Sequence, residues 1–126
     1  MTLDEVRVCT DMEFLIELAK TTSSVGILGI IIPKIANPDK ASQEALFCVV
    51  QNDDVMIGWR KMALTHLSDE DILNSIANGG DEYVFRESAG YMEKEAYEAG
   101  ADWTVATDFR EYARKKLEQI KKERIN

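Results

Sequence analysis

His66 is the chain's only histidine, and Ser68 and Asp69 follow closely behind it. A base, a hydroxyl and an orienting carboxylate are the residue types of nucleophilic or general-base catalysis. That chemistry also needs a nucleophile presented on a sharp turn, and neither a G-x-S-x-G run nor a reactive-cysteine setting accompanies them. A zinc site would need clustered nitrogen and sulfur ligands, which the chain does not supply. His66 therefore reads as a loop histidine bonding locally.

The densest carboxylates are Asp69-Glu70-Asp71 and Asp53-Asp54. Neither has the ligand spacing and obligatory glycine of a calcium loop. The first suits a helix N-terminus and the second a turn. Gly26 and Gly29 form a G-x-x-G inside the apolar run 25–32, not between a strand and a helix. A phosphate cradle needs the latter placement, so close backbone packing is the simpler explanation. No metal, no cofactor and no catalytic residue is expected.

Two constellations suit binding. Arg110 and Arg114 are four apart, on one face of a helix, where two guanidinium groups can grip a phosphate or carboxylate; Arg60 is a third candidate. Glu111 with Lys115, and Glu118 with Lys122, are equally well spaced for ordinary intrahelical pairs. Trp59, Arg60 and Trp103 are the types that dominate interface hot spots. Tyr83, Tyr91 and Tyr97 add aromatic surface in an acidic stretch that would suit a basic partner. The alternation Val55, Ile57, Trp59 leaves Trp59 open to either the core or the surface.

These residues must be positioned by elements. Thr10 and Glu13 make a capping box for a helix over 11–20, with Cys9 and Phe14 as its staple. The β-branched run 25–32 reads as a strand buried on both faces and stopped by Pro33. A polar connection over 33–43 follows, with Asn37-Pro38-Asp39 as a turn. Segments 44–51 and 55–64 flank Asn52-Asp53-Asp54 as a hairpin. Ser68 opens a helix that Gly79-Gly80 ends. Phe85, Ala89, Met92, Ala96 and Ala99 share one face of a helix over 86–99. A short strand or extended link over 103–106 leads to a last helix capped by Asp108, with Phe109, Tyr112, Ala113, Leu117 and Ile120 inward.

The order α-β-β-β-α-α-(β)-α implies an α+β class. It would be a three-stranded, antiparallel-leaning sheet, with a possible short fourth strand, packed by about four helices. It resembles small acidic type III secretion chaperones in element order alone, without a shared motif.

The 126 residues suffice for one domain over 1–126 with its own core. Fifteen basic residues against 23 acidic ones give a net charge of −8, which argues against a nucleic-acid partner. The charge is uneven. Residues 108–126 carry seven basic and four acidic side chains, net +3, which leaves −11 on the first 107. Cys9 and Cys48 fit no metal or redox spacing, and Cys48 reads as an inert buried thiol. No stretch is long and apolar enough to span a membrane and none reads as a secretory signal, so a reduced cytoplasmic protein is expected.

Two functions fit. The first is a non-enzymatic acidic interaction module, an inhibitor, immunity-type factor or escort for a basic protein partner, working as a homodimer. The second is a small binding protein or enzyme acting on an anionic ligand held by Arg60, Arg110 and Arg114.

Overall fold

The computed structural model describes residues 2–88 and 104–125, and these are mainly helical. Six helices come first: α1 (Leu3–Val8), α2 (Met12–Thr21), α3 (Val25–Lys34), α4 (Lys40–Gln51), α5 (Ile57–Thr65) and α6 (Glu70–Ala77). A 3₁₀ turn at Asp81–Tyr83 then leads into strand β1 (Val84–Ser88). Strand β2 (Thr104–Asp108) runs directly into the last helix, α7 (Phe109–Ile125). The two strands pair antiparallel, from Val84 opposite Asp108 to Ser88 opposite Thr104.

This corrects the expected α+β fold. Residues 25–32 form a helix instead of a strand, and the expected hairpin is the helix pair α4 and α5. The only sheet among the described residues has two strands. β1 occupies the start of the helix expected over 86–99; the remainder of that helix lies outside the described residues. With the three-stranded sheet gone, the likeness to secretion chaperones loses its basis.

The physical reason is visible in the buried positions. In and just beyond α3, Leu28, Ile31, Ile32 and Ile35 are fully buried, and that spacing is one helical stripe. A continuous apolar run does not by itself separate a buried helix from a buried strand. Here burial of the stripe outweighs the low helix propensity of isoleucine and glycine. Ser24 starts α3 by accepting a bond from the Ile27 amide. Pro33 is accommodated in the last turn. The buried stripe of α4 is Ser42, Ala45, Leu46, Val49 and Val50, and that of α5 continues from Arg60 through Ala63 and Leu64 to Leu67.

Caps punctuate the bundle. Asp11, Asp39 and Asp69 each accept a bond from an amide in the first turn of α2, α4 and α6. Asp11, one residue beyond the expected Thr10, begins α2, and Asp69 takes the place expected of Ser68. The Asn37-Pro38-Asp39 turn thus serves as the start of α4. The expected last helix is present, with Phe109 and Ala113 buried and Tyr112, Leu117 and Ile120 packed partly against the core.

α3 lies between α1 and α5, α4 packs on α2 and α5, and α7 lies along α6. Gln43 ties two connections to α4. Its side chain is 1% exposed; Nε2 donates to the Asn37 carbonyl at 2.8 Å, and Oε1 accepts from the Ser68 and Asp69 amides at 2.8 and 2.9 Å.

Candidate functional site

Arg60 sits in the first half of α5 and is 5% exposed, an unusual state for an arginine. Its Nε donates to the Val50 carbonyl at 2.7 Å, in the last turn of α4. Its guanidinium carbon stands 4.4 Å from the centroid of the Phe85 ring. Phe85 is in turn propped by Phe109, with ring centroids 4.7 Å apart. Burial pushes the guanidinium's pKa down, partly countered by Asp53, whose Oδ1 is 3.8 Å from an Arg60 terminal nitrogen.

That terminal edge faces a cleft of about 190 Å³ lined by Gln51, Asp53, Arg60, Glu82 and Tyr83. The end of α4 supplies Gln51, the α4–α5 connection Asp53, and the 3₁₀ turn Glu82 and Tyr83. Gln51 Nε2 donates to the Tyr83 hydroxyl at 3.2 Å and joins two walls. The Glu82 carboxyl is held below its usual range by backbone hydrogen bonds from its own amide and Gly80.

Arg110 and Arg114 do not converge on a shared ligand position. Arg110 binds Asp108 through Nε and a terminal nitrogen, at 3.0 and 3.1 Å, and approaches Asp81 at 3.9 Å. Arg114 donates to the Ala77 carbonyl at 3.1 Å, at the C-terminus of α6. Each of the two arginines thus holds a protein acceptor.

The same arrangement recurs along the fold. Lys34 donates to the carbonyls of Val6, Arg7 and Cys9 at the end of α1, and Lys116 to that of Thr65 at the end of α5. With Arg60 at α4 and Arg114 at α6, four helix C-termini are closed by cations from other elements. Such cations satisfy carbonyls that have no partner within their own helix and oppose the negative end of its dipole. Burial lowers the Lys116 pKa.

Trp59 is half-buried, with its ring over Gly29: Cη2 is 3.1 Å from where a β-carbon would stand. Tyr91, Tyr97 and Trp103 lie outside the described residues. His66 is exposed at the end of α5, and the Asp69 carboxylate accepts from the Ile72 amide instead of facing an imidazole. Cys9 and Cys48 are half-buried free thiols, so Cys48 is less buried than expected. Among the described residues no three His, Cys, Asp or Glu gather as a metal site, and no helix is long and apolar enough to cross a membrane. A second cleft, of about 280 Å³, has Lys61 and Lys115 beside Asp108 and Glu111.

The Asp108–Arg110 pair carries a pH signature. The Arg110 side chain first, then the backbone bonds, hold the Asp108 carboxyl below its ordinary value. A group with a depressed folded-state pKa stabilises the fold above its unfolded value, and this contribution is lost as pH falls through the folded one. Urea midpoints should therefore drop between neutral pH and about pH 3, and Asp108→Asn should flatten that drop. An unchanged pH profile in the variant would show that the pair does not contribute.

Sequence reasoning passed over Gln43, Gln51 and Glu82, and it expected Tyr83 on the surface where the structure buries it. Gln43 carried a signal, a polar residue among the apolar positions of a helical stripe. The others are joined by tertiary contact alone. Compared with known protein families, curated proteins and solved structures, the chain matches none.

Proposed function

We propose that the protein is a non-enzymatic acidic interaction module that binds, inhibits or escorts a basic protein partner through the outer face of α3. The observation that supports this reading is an uncharged strip. Gly26, Gly29, Ile30 and Pro33 recur at helical spacing on positions that are exposed or half-buried. Leu3, 46% exposed, lies along one side against Gly26, and Trp59 lies on the other against Gly29. The helix's single charged residue, Lys34, is turned onto the end of α1. Surface left apolar in this way, with acidic residues such as Asp4, Glu5 and Asp54 on the flanking segments, favours a partner with an apolar centre and basic rim.

The test compares the wild-type chain with the double variant Leu3→Glu, Pro33→Glu, which changes two exposed positions and no core residue. Companions retained on purification from the source cells are identified by mass spectrometry. A basic protein held by the wild type and by Glu118→Gln, but at least about tenfold depleted with the double variant, is the expected result. Equal retention by the double variant would overturn the reading. The homodimer expected from the sequence is the competing occupant. Sedimentation of a wild-type dimer that becomes monomeric in the double variant would assign the face to a second copy instead.

A further inference from the structure

The cleft in front of Arg60 has a property that an anion site lacks. The Asp53 carboxylate lies beside the guanidinium, and Glu82, whose carboxylate accepts from the Gly80 amide, lines the same cleft, so a bare phosphate or acetate would meet acids as well as the guanidinium there. A cation alone would leave the terminal nitrogens of Arg60 without a protein acceptor within hydrogen-bond reach. Among the described residues Arg60 makes one hydrogen bond, through Nε to Val50, and the 3.8 Å separation from Asp53 is too long for another. The guanidinium is fixed from behind by the Val50 carbonyl and by the Phe85 ring, so its terminal nitrogens are held in place before any ligand arrives. Gln51 spends one amide hydrogen on Tyr83, leaving the amide oxygen and the phenolic hydrogen as further polar contacts in the wall.

A ligand that matches all of this carries both charges on a small frame. We infer that the cleft binds a small zwitterion of the free α-amino acid class, its carboxylate on the terminal nitrogens of Arg60 and its ammonium toward Asp53 and Glu82. A volume of about 190 Å³ suits a small side chain such as that of alanine or serine. The carboxylate replaces the missing acceptor in the bidentate geometry that guanidinium favours. The ammonium offsets Asp53, the acid nearest the guanidinium. The site uses none of the α3 surface residues, so it stands or falls independently of the partner-binding proposal.

Ligand-observed NMR and calorimetry on the full chain test it with four probes: alanine, N-acetylalanine, alaninamide and inorganic phosphate. Alanine should bind, and each of the other three at least about tenfold more weakly, because each lacks one of the two charges or brings an excess of one. Asp53→Asn, at a side chain that is almost fully exposed, should weaken alanine by about tenfold with the urea midpoint unchanged. Glu82→Gln provides a second variant in the same direction. N-acetylalanine or phosphate binding as well as alanine would make this an anion site and overturn the inference. Alaninamide binding equally well would make it a cation site and do the same. Absence of alanine binding at millimolar concentration, or alanine affinity indifferent to both variants, would also overturn it.

Discussion

Arg60→Ala is expected to lower the unfolding free energy by about 4 kcal/mol, the sum of an orphaned carbonyl, a lost cation–π contact and an emptied stem. The Val50 carbonyl would lose the donor that reaches it at 2.7 Å, in a position that the end of α4 cannot satisfy from within. Phe85 would lose the cation on its face while still leaning on Phe109. Arg60→Lys keeps the charge but not the planar fork, so it should recover only part of the loss. Urea denaturation of the three proteins at neutral pH measures this, and a loss below about 1 kcal/mol for alanine would show that the guanidinium is dispensable to the fold.

Gln43→Leu tests a different kind of contact. Leucine is close to glutamine in volume, so the variant removes hydrogen bonds without opening a large cavity. The amides of Ser68 and Asp69 and the carbonyl of Asn37 would lose their side-chain partner together. A loss of about 3 kcal/mol is expected, since each buried polar group left unpaired costs about 1–3 kcal/mol and some will find water. Hydrogen exchange should locate the damage, with the Ser68 and Asp69 amides exchanging faster than those of α2. Unchanged exchange at both amides would contradict the role given to Gln43.

Part of this architecture was legible in the sequence. The helix expected over 11–20 lies at Met12–Thr21 and the final helix begins just after Asp108, because both show a capping pattern and a clear amphipathic stripe, although Asp11 and not Thr10 caps the first. The helix ending before Gly79-Gly80 was legible for the same reason. The middle of the chain misled because Val25 to Ile32 is apolar on every side, so propensity pointed to a strand. The stripe through Ile35 and the Ser24 cap pointed to the helix that forms. In residues 44–64 the helical spacing of Ala45, Leu46, Val49 and Val50 was present but was outweighed by the turn-like Asn52-Asp53-Asp54. Charge proved harder still. Arg110 and Arg114 share a helical face as their spacing implies, but what each one holds depends on where Asp108 and the end of α6 come to lie. Arg60 read as a surface residue because no pattern within one segment says that the Val50 carbonyl and the Phe85 ring will enclose it.

The cations that close helix ends also set an order on synthesis. Lys34 is made soon after the α1 carbonyls it binds, and Arg60 ten residues after Val50. Thr65 and Ala77 wait much longer, because Lys116 follows Thr65 by 51 residues and Arg114 follows Ala77 by 37. As the chain leaves the ribosome, α1 and α4 can be finished while α5 and α6 still present bare carbonyls to water. The emerging protein is therefore a half-closed bundle, and α7 completes two helices made long before it while inserting Phe109 and Ala113 into their core.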